Sequence, residues 1–246
     1  MNWVKTTPTG AHHGWGATFG NGLKFAAILA AVVGLSIVGC DRPPESTGRV
    51  SAPPVKDGSS SVTIVALGDS LTAGFGVSEE NAYPARLEEK LIADGHRYRV
   101  VNAGISGETS SGALSRIKWV LTLDPDIVIL ETGANDGLRG IDPVLVHKNI
   151  EEIVRVLKAE DVIVVLAGMR MVENLGPEYT ADFAAIYPTI TGEEDLIFMP
   201  FFLEGVAGKN ALNQPDGIHP TARGYRRITD ALYPYVIEAI RKHTAG

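Results

Sequence analysis

The chain has 246 residues, 45% of them hydrophobic and 21% charged, with a net charge of −7 and a single cysteine, Cys40. That length suits one domain of ordinary size plus an appendage, and the composition excludes a wholly disordered chain, a collagen and a disulfide scaffold. The acidic balance argues against a general nucleic-acid binder, which needs a basic footprint to neutralise phosphates.

Residues 1–24 are polar and irregular, with Lys5 and Lys24 and no acid. From Phe25 to Gly39 the chain is an unbroken run of 15 apolar or small residues. A membrane-spanning helix needs about 20, so the run is short for a permanent anchor and suits the core of an export signal. It ends Ile37-Val38-Gly39-Cys40, which resembles a bacterial lipobox. The resemblance implies that residues 1–39 are removed, that Cys40 is acylated and that it becomes the first residue. A plain secretory signal, or a short anchor helix in which Cys40 is incidental, is the alternative. Residues 40–61 are rich in Pro, Ser and Gly without a hydrophobic period and read as a disordered tether. Fully extended, the tether reaches roughly 70 Å. Asp41, directly after the cysteine, resembles an inner-membrane retention signal. The expectation is an exported protein, periplasmic or in the cell envelope, held to the membrane by lipid at Cys40.

Residues 62–246 alternate strand and helix signals. The runs at 62–67, 98–102, 127–131, 162–166 and 196–199 are short and β-branched, and most are continuously apolar. That pattern marks strands buried on both faces of a parallel sheet. Between them, Asp142-Pro143 is an N-cap followed by Pro at the first helical position. Val146, Ile150, Ile153, Val154 and Leu157 then share one helical stripe. The segment 79–93 carries Leu87, Leu91 and Ile92 in similar fashion. The last helix places Tyr225, Ile228, Leu232, Val236 and Ile240 at spacings of three and four, and Pro234 is expected to kink or break it. The order predicts one α/β domain, a three-layer α/β/α sandwich around a five-stranded parallel sheet. Ligands bind such sheets beyond the carboxyl ends of the strands, so the loops there carry the functional expectation.

Four of those loops stand out. They are Gly68-Asp69-Ser70-Leu71 after the first strand, Gly104-Ile105-Ser106-Gly107-Glu108-Thr109 after the second, Gly133-Ala134-Asn135-Asp136 after the third, and Asp216-Gly217-Ile218-His219 before the last helix. Each alone is a plausible turn or helix entry. Together and in this order they resemble the SGNH branch of the GDSL hydrolases, over essentially the whole of residues 62–242. The nearest likeness is to the bacterial arylesterase, thioesterase I and lysophospholipase L1 group. The resemblance implies the flavodoxin-like SGNH fold and a serine hydrolase of carboxylic esters, namely aryl esters, lysophospholipids and acyl-thioesters. It implies no cofactor.

The chemistry of the residues agrees. Ser70 stands at the end of a central strand and needs an adjacent base to become a nucleophile. His219 can take its proton, and Asp216, three residues earlier, can orient the imidazole. The family pattern adds an oxyanion hole of the Ser70 N–H, a block-two glycine and the Asn135 amide; alignment on Ile-Ser-Gly-Glu-Thr puts the glycine at Gly107, with Gly104 a nearby turn residue. Asp69 and Asp136 are expected to hold loop geometry. Met169, Met171, Tyr179, Phe201 and Phe202 follow the fourth and fifth strands and are candidates for an acyl groove, with ordinary core packing as an equal reading. His96, His147 and His243 are expected to face solvent. The absence of Gly-x-Ser-x-Gly, of Gly-Lys-Ser/Thr, of HExxH and of CxxC speaks against an α/β-hydrolase elbow, a P-loop and a metal site. A carbohydrate acetyl-esterase is the same-fold alternative, and a catalytically silent lipid-binding lipoprotein the alternative of a different class. The sequence leaves the oligomeric state open.

Overall fold

The structure, a computed structural model, describes residues 62–245 apart from 172 and 195. The expected signal segment 1–39, the tether 40–61 and Cys40 lie outside the described residues. In chain order the elements are β1 (Val62–Gly68), α1 (Ser70–Ala73), α2 (Tyr83–Ala93), β2 (Tyr98–Gly104), α3 (Ser110–Ser115), α4 (Ile117–Leu121), β3 (Ile127–Glu131), α5 (Ala134–Leu138), α6 (Pro143–Lys158), β4 (Ile163–Ala167), α7 (Pro177–Glu193), β5 (Ile197–Met199) and α8 (Ala222–Ala245).

All five strands are parallel, in the order β2-β1-β3-β4-β5. Helices α2 and α8 pack together on one face, and α3, α4, α6 and α7 on the other. The central strands are buried on both sides: Ile127–Glu131 is buried throughout, and so is Ile64–Gly68. The edge strand β2 has polar residues among its apolar ones and is mostly part-exposed, because only one neighbour covers it.

Helix α6 forms as its sequence dictates. The Asp142 carboxylate accepts from Val144 N at 2.9 Å, satisfying one of the N–H groups a helix start leaves free. Val146, Ile150, Ile153, Val154 and Leu157 are all buried. Three expectations need correction. The segment before Tyr83 is a 3-10 turn at Glu79–Asn81, and α2 begins only at Tyr83 with Pro84 in its first turn. Ile92, adjacent to the buried Leu91, turns to solvent. Pro234 does not break α8, which continues through it from Ala222 to Ala245. Pro234 removes the bond to the Asp230 carbonyl, but Asp230 is exposed, where solvent can satisfy that oxygen, and Leu232 and Val236 remain in the core. No helix among the described residues is long and apolar enough to cross a membrane.

Candidate active site

The strand order reverses direction at β1. The chain passes from β1 outward to β2, then returns to the other side for β3. The crevice of an open α/β sheet lies at such a switch point, here between the carboxyl ends of β1 and β3. Ser70 follows the first of these strands and Asn135 the second.

Ser70 is the first residue of α1 and is nearly buried. Asp69 caps that short helix, its Oδ1 accepting from Leu71 N at 2.9 Å. Gly74, at φ +80°, closes it in the left-handed conformation. The hydroxyl of Ser70 is 2.9 Å from His219 Nε2, and His219 Nδ1 is 2.8 Å from Asp216 Oδ2. Asp216 Oδ1 accepts the backbone N–H groups of Ile218 at 2.9 Å and His219 at 3.0 Å. The His219 N–H, the His219 ring and the Ile218 N–H together hold the Asp216 carboxyl down at about 2. An ionised Asp216 fixes the proton on Nδ1, which leaves Nε2 as the acceptor facing Ser70.

Chain distance alone does not bring residues 70 and 219 together; Gln214 does. Its side-chain amide donates to the Phe75 carbonyl at 2.7 Å and the Pro220 carbonyl at 3.0 Å, and its backbone N–H donates to the His219 carbonyl at 2.7 Å. Gly76 makes this approach possible, since a Cβ there would stand 2.2 Å from Gln214 Oε1. The Phe75 ring lies 4.5 Å from the His219 ring.

The other wall is built from the loops after β2 and β3. Gly104 ends β2 against α1, where a Cβ would meet Ala73 N at 2.2 Å; it is a close-approach glycine rather than a turn. Gly107 is exposed at φ +80°, and its carbonyl accepts from Arg139 at 2.9 Å. Arg116 grips the Glu108 carboxylate with two bonds, at 2.7 and 2.6 Å, and the Ala103 carbonyl at 2.7 Å. Asn135 Nδ2 donates to Asp69 Oδ2 at 2.9 Å and to the Glu108 carbonyl at 3.0 Å. Asp136, fully buried, accepts the Ser110 N–H at 2.8 Å and its hydroxyl at 2.6 Å, joining the second loop to the third. Both flanking aspartates thus serve loop geometry. Burial lifts the Asp69 carboxyl to about 6, against the bonds from Leu71 and Asn135 that lower it.

The acyl-groove candidates divide. Met169 and Phe202 are buried in the core, Phe202 edge-on to Tyr83 at 5.3 Å, so neither lines a groove. Met171 packs directly on Gly137, and the Tyr179 hydroxyl donates to the Ile141 carbonyl at 2.8 Å; both buttress the loop after β3. Phe201 is half-exposed beneath the Arg170 guanidinium, 5.0 Å away. Of the exposed apolar side chains, Phe75, Ile105, Leu138 and Ile218 lie in or beside the four loops. His96, His147 and His243 are half-buried and keep part of their surface open to solvent. His96 lies against Tyr98 and His243 near Asp126, away from Ser70. Among the described residues no three His, Cys, Asp or Glu side chains cluster as a metal site would require.

Comparison with known proteins agrees with this architecture. The model of the GDSL-like Lipase/Acylhydrolase family matches residues 66–227. The chain is 34% identical to "Arylesterase" of Vibrio mimicus over 181 residues, covering 73% of this chain and 88% of the relative. It is 39% identical to "Thioesterase 1/protease 1/lysophospholipase L1" of Escherichia coli K12 over 169 residues, covering 68% of this chain and 80% of the relative. The crystal structure of TesA superposes with a TM-score of 0.69 at 36% identity, covering 72% of this chain and 99% of that one. A parallel five-stranded α/β sandwich, four loops meeting at its switch point and this degree of identity make the chain a member of the GDSL-like lipase/acylhydrolase family and an SGNH hydrolase of the esterase, thioesterase and lysophospholipase class.

Proposed function

We propose that the protein hydrolyses aryl esters, lysophospholipids and acyl-thioesters through an acyl-serine intermediate. The observation that carries this reading is the hydrogen-bonded line from Ser70 Oγ through His219 to Asp216, at 2.9 and 2.8 Å. Ser70 attacks the acyl carbonyl carbon while His219 Nε2 takes its proton. The imidazolium, stabilised by Asp216, then protonates the leaving alcohol or thiol. Water, activated by the same imidazole, releases the acid and restores Ser70. The tetrahedral oxyanion takes hydrogen bonds from the Ser70 and Gly107 N–H groups and from Asn135 Nδ2. Both hydrogens of that amide already have acceptors, Asp69 and the Glu108 carbonyl. The oxyanion therefore competes with the Glu108 carbonyl for one of them, while Asp69 keeps the other.

Exposed Phe75, Ile105, Leu138 and Ile218 give the mouth an apolar rim suited to an acyl or aryl group. This favours the broad esterase reading over a carbohydrate acetyl-esterase, whose substrate is polar. A p-nitrophenyl ester series from acetate to palmitate, run on the full chain, tests the choice. Sustained turnover of medium chains is expected; a sharp drop beyond acetate would support the sugar-ester reading. We further propose that the enzyme works in the cell envelope on a lipid anchor at Cys40. Metabolic labelling with a fatty acid should then mark the wild type and spare Cys40→Ser; equal labelling of both would remove the anchor.

A further inference from the structure

Behind Ser70, on the side away from the crevice, lies an acidic side chain that the reaction above does not use. Glu131 is the last residue of β3 and is fully buried. It packs against the end of β1 so closely that a Cβ on Gly68 would stand 2.6 Å from its Oε2. The Thr72 hydroxyl donates to Oε2 at 2.8 Å, and the Asp69 N–H points at the same oxygen from 3.4 Å. Oε1 has no hydrogen-bond partner among the described residues. The titratable groups facing Glu131 are the Asp69 carboxyl below α1, and the phenols of Tyr83 on α2, Tyr187 on α7 and Tyr225 on α8. None is a cation. Arg116 is not among them, and its guanidinium pairs with Glu108.

An ionised carboxylate in such a place has no counter-charge among the groups that face it, a cost that buried acids avoid by keeping their proton. Burial and the neighbouring Asp69 charge both push the Glu131 carboxyl well above the usual range. A neutral carboxylic acid has one O–H to donate and needs an acceptor for it. Asp69 is the neighbour that carries one: its own N–H lies 3.4 Å from Oε2, which sets its carboxyl beside Glu131. We infer that Glu131 is a neutral carboxylic acid that donates a hydrogen bond to the Asp69 carboxylate, and is thereby a positioning residue for the oxyanion wall. The inference rests on the serine-esterase reading of the site. Asp69 grips Asn135 Nδ2 with one oxygen and the start of α1 with the other. Fixing Asp69 therefore fixes an oxyanion donor and the nucleophile's helix together. Glu131 touches neither substrate nor Ser70 and acts only through Asp69 and Thr72.

The test uses the full chain and three readouts. Infrared difference spectroscopy of wild type minus Glu131→Gln at pH 7 should show the carbonyl stretch of a protonated carboxylic acid. This readout is independent of activity, so it separates failure of the inference from failure of the esterase reading. Glu131→Gln, whose amide N–H can replace the O–H, should keep kcat within about threefold of wild type, and the apolar Glu131→Met should lose about ten- to a hundredfold in kcat with KM little changed. A carboxylate band in the difference spectrum overturns the inference. So does a Glu131→Gln variant as impaired as Glu131→Met, or a Glu131→Met variant with wild-type kcat.

Discussion

Two aspartates flank the same serine and live in opposite surroundings. Asp69 is buried beneath α1, and its carboxyl is lifted to about 6 chiefly by loss of solvent. Asp216 sits on an exposed loop, and its carboxyl is held at about 2 by backbone and imidazole donors. The comparison shows that hydrogen-bond donors rather than depth make an aspartate a dependable anion. The exposed one is suited to steadying a transient imidazolium; the buried one is suited to holding atoms still.

Substitutions should widen or collapse that contrast. Asp216→Asn removes the charge that stabilises the imidazolium and sets its tautomer, and a fall of about 10⁴ in kcat is expected, measured on a p-nitrophenyl ester with KM little changed. A loss under tenfold would mean that Asp216 is only a loop residue. Asn135→Ala removes one oxyanion donor and frees an Asp69 oxygen; about 10²–10³ in kcat should be lost. If that variant lost only affinity, Asn135 would be a substrate-binding group instead.

The smallest effect is on stability, and its sign differs between the two aspartates. Asp69 has a raised folded-state value, so its protonated form contributes stability that is fully present below about pH 4 and lost as pH rises through about 6. Asp216 has a depressed one, so its contribution is present above about pH 4 and lost as pH falls through about 2. Denaturant melts of wild type against Asp69→Asn and Asp216→Asn across this range should give difference curves of opposite slope. Parallel curves would erase the distinction.

Much of this could be read from the sequence because it is written in local pattern. The apolar runs of β1, β3 and β4 are continuous because two helical layers cover them. Ser70, Asn135 and Asp216–His219 fall at strand or helix ends, where the fold rule looks for function. The residues that join those loops were not legible. Glu131 closes an apolar run and reads as the strand's end. Arg116 lies 48 residues from the Gly68 carbonyl it approaches, and Gln214 lies 139 from Phe75; no periodicity encodes such partners. Met169 and Phe202 were ambiguous for the same reason, since an apolar residue after a strand can face a groove or the core. Whether Pro234 would break α8 depends on whether solvent reaches the freed carbonyl, which the chain alone does not reveal.

The proposed reaction depends on Ser70 as its nucleophile. The measurement that decides this treats wild type and Ser70→Ala with a fluorophosphonate ester and maps the adduct by mass spectrometry. The expected result is a single phosphonyl group on the peptide carrying Ser70, with ester hydrolysis abolished in step, and no adduct on Ser70→Ala, whose kcat falls by about 10⁶. An adduct on another residue, or undiminished hydrolysis by Ser70→Ala, would contradict it.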